Sequence, residues 1–445
     1  MLRRMGETVD PKGAVVKIKD ASFPAPFASE LEYNSPVHGN WNIVHTGMQV
    51  PESIQIYVCA DNCMRGVVLT AAEMNAADRF SFVILEEQDL LNSNLEDITI
   101  EGVTDVLNKR GDHPKAVLLF TVCLHHFVGS NLDYIYSELG HRFPDICFIR
   151  CYMDPIMQKH GLTPDQKLRK AMYDPLPVCE PNAKTVSVFG SDFALDESSD
   201  IKRLLKRYEY TVQELPACKT WQDLLDMSKG SLFIDCYPAG KYGMETQAER
   251  LGRKRLYLPG SFDYDEIERQ LKQLTDVLGL PELTENELAH ERENCEEALT
   301  RAKDLIKDMP ITLDYLYHPR PLGLAKLLLT HGFCVKSVYL DGISPEEKDE
   351  FIWLQEHAPE LELIATIQVK MRVLPRGGSE EVLAIGQKAA YFSRSRHFVN
   401  LVQGEGLYGF DGIRRTAELM MEAYREEKDT EKLVVQKGWG CECCL

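Results

Sequence analysis

The chain alternates between two hydrophobic patterns. Short apolar runs at 54–58, 80–85, 116–122 and 146–150 predict buried strands. Between them, 64–77, 95–109 and 132–141 carry apolar residues at the three-and-four spacing of amphipathic helices. Such alternation predicts a parallel, doubly wound sheet, because parallel strands need helical crossovers. Pro175, Pro177 and Pro181 break the pattern and predict a linker. A second β/α unit follows, with strands at 185–189, 211–215, 231–235 and 255–258 and a helix at 198–208. Residues 263–308 are helical and charged. A third unit has strands at 311–316, 333–340, 361–369 and 398–402, a helix running to 329 and a last helix at 411–427. The predicted division is an irregular lead-in (1–40), three α/β domains (41–180, 181–308, 309–428) and a Cys-rich tail (429–445).

Candidate chemistry gathers where strands end. In an open parallel sheet, the carboxyl ends of the strands form the ligand crevice. Cys59 closes the run at 54–58, and Cys63 follows at the start of a helix. Cys123 directly follows the run at 116–122 and precedes His125, His126 and Gly129. Thiolates in such positions suit an iron–sulfur cluster, and hence electron transfer. A cap at Asp61 or Asn62 would put Cys63 in the first helical turn, where backbone N–H groups favour thiolate. The competing reading makes Cys59 and Cys63 small core residues, the commonest fate of free cysteine. His125 and His126 suit metal ligation or proton donation, or else a solvated or capping role. Gly129 would allow a close approach of backbone to ligand. Cys441, Cys443 and Cys444 suit metal, a partner's site or redox chemistry, or form a tail with no defined role. Packing is the reading for Cys147, Cys151, Cys179, Cys218, Cys236, Cys295 and Cys334.

Composition narrows the class. Apolar residues make up 44% of 445, enough for ordinary cores. A formal charge of −19 argues against nucleic acid and anionic membrane as partners. There is no apolar run near the roughly 20 residues of a membrane span. The opening residues lack the apolar core of a signal peptide, which predicts a cytoplasmic protein. Thirteen cysteines in a reducing compartment do not make a disulfide framework. The chain has no G-x-x-x-x-G-K-[ST] sequence. Gly404, Gly406 and Gly409 nearly match a dinucleotide fingerprint but read as a tight turn. No nucleotide is expected on this chain, so any ATP in the system belongs to another protein.

Three segments resemble the nitrogenase component 1 superfamily. They are Thr121-Val122-Cys123 with the stretch 128–135, the stretch 231–237 with Tyr242-Gly243-Met244 and 256–259, and Leu407-Tyr408-Gly409-Phe410-Asp411-Gly412-Ile413. The resemblance spans about 40–425. It implies an α/β fold of three Rossmann-like domains with mostly parallel sheets around a central crevice. It also implies a homodimer, or a heterodimer with a paralogous chain, served by a P-loop iron-protein ATPase. Cys63 and Cys123 fall on cluster cysteines, and Cys59 stands in for a missing upstream one. The implied cofactor is an iron–sulfur cluster, 4Fe–4S or a larger one at the subunit interface. Met244 and Tyr408 fall at or beside the cofactor-ligand positions and are poor substitutes for Cys and His. Dinitrogen reduction is therefore not expected. An organic substrate, a tetrapyrrole or another metal centre would occupy the crevice. His125, His126, His318 and Tyr408 are the candidate proton donors. His318 and Arg320 follow the first strand of the third unit, where they would face the crevice or pack between domains. The alternatives to a reductase are a cluster-assembly scaffold or a structural partner of a catalytic paralogue.

Overall fold

A computed structural model describes residues 10–28, 42–92, 94–154, 161–378 and 380–429. Cys441, Cys443 and Cys444 lie outside the described residues. The strand β1 (Val15–Lys17) comes first in sequence but does not join the first sheet. After α1 (Ile43–Met48), that sheet is built from β2 (Ser53–Cys59), β3 (Phe80–Ile84), β4 (Ala116–Val122) and β5 (Cys147–Met153). Its order is β3-β2-β4-β5, all parallel. The two central strands, β2 and β4, are buried along their whole length. Helices cover both faces, so these strands read as unbroken apolar runs. Tyr57 and Phe120, on adjacent strands, stack with centroids 4.3 Å apart. The crossovers are α2 (Asp61–Glu73), α3 (Glu87–Leu91), α4 (Leu95–Lys109), α5 (Cys123–Val128) and α6 (Leu132–Arg142).

Helix α7 (Pro164–Ala171) leads out of this unit, with a Thr163–Gln166 capping box and Pro164 in its first turn. The second sheet contains β6 (Asn182–Phe189), β7 (Thr211–Glu214), β8 (Gly230–Asp235) and β9 (Lys254–Tyr257) in the order β7-β6-β8-β9, again parallel. Its helices are α8 (Asp200–Arg207), α9 (Trp221–Asp226) and α10 (Lys241–Leu251). This sheet is shared between two cores. Val186, Val188, Leu232 and Ile234 join the core that continues into the third unit. Phe189 and Phe233 point the other way, into the core of the first unit. The alternation follows from the two-residue period of a strand.

Two long helices, α11 (Tyr264–Leu278) and α12 (Glu285–Ile306), bridge to the third unit. There, β10 (Ile311–Asp314), β11 (Val335–Tyr339), β12 (Glu362–Ile364), β13 (Leu383–Ile385) and β14 (His397–Val399) form parallel pairs. The edge is completed by β1, antiparallel to β12, giving the order β1-β12-β11-β10-β13-β14. The lead-in therefore contains a strand of the third sheet. The run read as one strand over 361–369 stops at Ile364 and continues as a short 3-10 turn, Val369–Arg372. The helices are α13 (Pro321–Thr330), α14 (Lys348–His357), α15 (Gln387–Ser393) and α16 (Gly409–Arg425).

The glycine-rich stretch before α16 is a tight turn, with Gly404, Gly406 and Gly409 all at positive φ. At Gly409, with φ of 66°, an added Cβ would lie 2.1 Å from Asp200 Oδ2. Asp200 accepts a bond from the Phe410 N–H at 2.5 Å, filling the α16 N-terminus with a carboxylate of the chain itself. Gly409→Ala is expected to cost about 3 kcal/mol, from φ strain plus the clash. Gly279→Ala, at φ of 65° with nothing near its Cβ, should cost only the strain. Thermal unfolding of both variants measures the steric part, and equal losses would refute it.

Candidate functional site

The C-terminal edge of the first sheet brings the candidate thiols near one another. Cys59 is the last residue of β2, and Ala60, in extended conformation, precedes α2. Cys63 lies in the first turn of α2, its N–H donating to Ala60 O at 2.9 Å. Cys123 opens α5 at the end of the neighbouring parallel strand β4. Cys63 is exposed, Cys123 is half-buried and Cys59 is fully buried in the core. Cys63 is close enough to raise the pKa of both Cys59 and Cys123.

The electrostatics reverse one expectation. Burial and the Asp61 carboxylate push the Cys63 thiol up, so the helix terminus does not leave it as thiolate. Burial, then Asp154, then Cys63 raise Cys123. Burial lifts Cys59 to about 12. A metal would have to displace these protons on binding. Among the described residues, no three His, Cys, Asp or Glu side chains are set to hold a metal ion. Two accessible thiols at one sheet edge suit part of a site shared with a further chain. Cys59, sealed in the strand, does not extend that set.

His125 and His126 part company. His125 is buried, accepts the Val122 N–H on Nδ1 at 3.3 Å and meets Thr99 Oγ1 through Nε2 at 3.1 Å. Burial holds its pKa at about 4, so it is a neutral fastener between β4 and α4 and no proton donor near pH 7. His126 is exposed, beside Phe127 at 64% and Val128 at 45% exposure. Gly129 is the left-handed C-cap of α5, which explains the glycine without a ligand.

His318 and Tyr408 lie elsewhere, between the second and third sheets. They line a cavity with Gly260, Ser261, Phe262, Tyr317 and the 404–412 turn. The free space is about 10 Å³, room for a single water. Tyr408 is buried and donates its hydroxyl to Gln270 Oε1, and burial keeps it protonated. Burial, then the Arg320 charge, holds His318 at about 3, so its ring is neutral. Arg320 is spent on structure, pairing with Glu266 at 2.7 Å and Glu350 at 3.2 Å. Beside it, Glu347 Oε1 accepts the Leu322 and Gly323 N–H groups at 2.6 and 3.1 Å, capping α13.

Residues around this cavity also come into view here. Met244 is buried on α10 in the core of the first unit and does not face the cavity. The thiol near Tyr408 is Cys236, directly after β8, and its charge would raise the pKa of Tyr408. Cys236 packs against the core shared by the second and third units, as the packing reading expects. Arg169 was also missed. Its buried guanidinium binds Asp165 at 3.0 Å and Asp192 at 2.7 Å. Asp192 takes further bonds from Gln49 and Gln403, so one carboxylate ties all three units.

Three mostly parallel sheets with shared cores define an α/β protein. The chain belongs to the family described as Nitrogenase component 1 type Oxidoreductase, which matches residues 101–425. A solved structure described as "Nitrogenase Cp1 at pH 6.5" is similar, with TM-score 0.65, 13% identity and coverage of 94% of this chain and 95% of that one. Another, "Nitrogenase Cp1 at pH 5", has TM-score 0.57, 13% identity and coverage of 93% and 94%. There is no match among curated proteins. Among the described residues, no helix is long and apolar enough to cross a membrane.

Proposed function

We propose that this chain is the component 1 of a nitrogenase-like oxidoreductase. It accepts electrons from a separate ATP-dependent iron protein through an iron–sulfur cluster and passes them to a substrate other than dinitrogen. The carrying observation is the pair Cys63 and Cys123, on neighbouring strand ends of a chain from this family. Family members carry iron–sulfur clusters and work in oligomers with an iron protein. Here Cys63 and Cys123 would hold one side of the cluster, whose chemistry is one-electron storage and relay. The remaining ligands would come from a second component 1 chain.

The surroundings support a partner on this edge. Most of α2 is exposed, including Val68 and Leu69. Phe127, Val128 and Tyr134 at 48% exposure add apolar surface from α5 and α6. His126, on the same exposed helix, is the proton donor we retain from the four candidates.

One observation favours a second reading. Between the second and third sheets, Tyr408 and Arg320 bond to groups of the chain itself. That suits a structural partner or scaffold whose catalytic counterpart is another chain. Anaerobic purification with iron and sulfide counts, followed by EPR, separates the cases. The electron-relay reading expects a reducible cluster and ATP-dependent reduction of substrate when a reduced iron protein is added as electron donor. A cluster released to an acceptor without turnover indicates the scaffold. Absence of iron from the oligomer overturns the cluster assignment.

A further inference from the structure

Four successive residues of the turn before α16 have positive φ: Gln403 at 52°, Gly404 at 70°, Glu405 at 41° and Gly406 at 83°. Glycine adopts this left-handed conformation freely, but Gln and Glu adopt it only with steric strain. The other non-glycine cases among the described residues, Glu52, Asn75, Glu209, Lys307 and Arg394, stand singly in the chain. Strain of this kind persists only where the surroundings over-determine the backbone, and it gathers at clamps and switches.

The surroundings of this turn come from all three units. The Gln403 and Gly404 N–H groups donate to Leu316 O and Tyr317 O, each at 2.6 Å, and Gly406 O accepts the Asp196 N–H at 2.9 Å. A Cβ on Gly406 would lie 2.0 Å from Ala194 O, so the turn is pressed against the second unit. The Gln403 side chain makes a reciprocal pair with Asp192. Its Nε2–H donates to Oδ2, and its Oε1 accepts the Asp192 backbone N–H at 3.3 Å. The other carboxylate oxygen, Oδ1, takes Arg169 and Gln49 of the first unit, each at 2.7 Å. Gly404, Leu407 and Tyr408 also line the cavity, together with Tyr317 and His318. The bond from Gly404 to Tyr317 therefore joins two parts of the cavity wall.

We propose that residues 403–407 are a strap that swings off this cavity, strained when shut and latched by the pair Asp192–Gln403. Opening breaks the bonds to Leu316 and Tyr317, takes Gly404 and Leu407 out of the wall and lets Gln403 and Glu405 relax. Strain drives the strap open and the latch holds it shut, so the two act with opposite sign. Because Asp192 is also tied to Arg169 and Gln49, a shift of the first unit reaches the cavity through one carboxylate.

Amide hydrogen exchange of the full chain at residue resolution tests it, with the Leu119 N–H of the buried strand β4 as reference. The Gln403 and Gly404 amides should exchange faster than Leu119, through local opening. Gln403→Ala keeps the strain and removes the latch, and should speed Gly404 roughly tenfold with Leu119 unchanged. Glu405→Ala and Glu405→Gly lack the same side chain and differ in backbone freedom. Gly404 should exchange roughly threefold more slowly in the Gly variant than in the Ala variant. Gln403 and Gly404 amides no faster than Leu119 in the parent would overturn the strap, since the turn would then open only on unfolding. An unchanged rate in Gln403→Ala, or equal rates in the two Glu405 variants, would overturn it as well.

Discussion

Replacing Cys63 or Cys123 with Ala is expected to abolish the bound iron of the purified oligomer and the EPR signal of its cluster. On the proposed reading each side chain would contribute one of only two accessible thiolates, and among the described residues no group of three His, Cys, Asp or Glu is set to hold a metal in their place. Loss of one ligand weakens the whole site, because the remaining thiol must still give up a proton whose pKa burial has raised. Cys59→Ala should behave differently. Cys59 is core, so its removal costs about 1 kcal/mol of stability through the small cavity and leaves iron content unchanged. Cys334→Ala, at an exposed cysteine remote in sequence, is the neutral control. Full iron in both the Cys63 and Cys123 variants would end the assignment. Iron lost only in Cys59→Ala would move the site into the strand.

The second large effect concerns Glu347. Burial lifts its pKa to about 8, against an ordinary 4.5, even with two backbone N–H groups and Arg320 favouring the charged form. The folded chain therefore binds this proton more tightly than the unfolded chain does. Stability from Glu347 is full below about pH 4.5, declines as pH rises and is lost by about pH 8. The slope is bounded by about 1.4 kcal/mol per pH unit. Asp200 and Asp314, each raised to about 6 by burial, add to the same slope at its acid end. Glu347→Gln keeps an oxygen to accept the Leu322 and Gly323 N–H groups but removes the titration. Urea midpoints at pH 5, 6.5 and 8 should fall steeply in the parent and less steeply in Glu347→Gln. Parallel slopes in the two proteins would show that Glu347 is ionised throughout.

The long, fully buried elements were legible because their pattern is local. The apolar run at 116–122 coincides with β4, and the helical spacing at 95–109 with α4. The strands β1 and β13 were not legible, since three residues carry almost no periodicity, and β1 also pairs far along the chain. At the candidate site, the strand-end placement of Cys63 and Cys123 could be read from sequence. Their state of protonation could not, because Asp61 and burial set it jointly. The same limit applies to His125, whose partners are a backbone N–H and Thr99 on another helix. Arg169 and Asp192 showed no pattern at all. Their partners are scattered from Thr46 to Gln403 and meet only after folding.

The strand β1 has a consequence for how the chain is made. It is made well before its partner β12, which is more than three hundred residues later. Until then it stays unpaired, and the third sheet keeps an open edge. Completion of that sheet must wait for the strands of the third unit, which makes it a long-range closure of the kind that slows folding. A chain halted before β12 would carry a loose N-terminal strand, ready to pair wrongly with another copy.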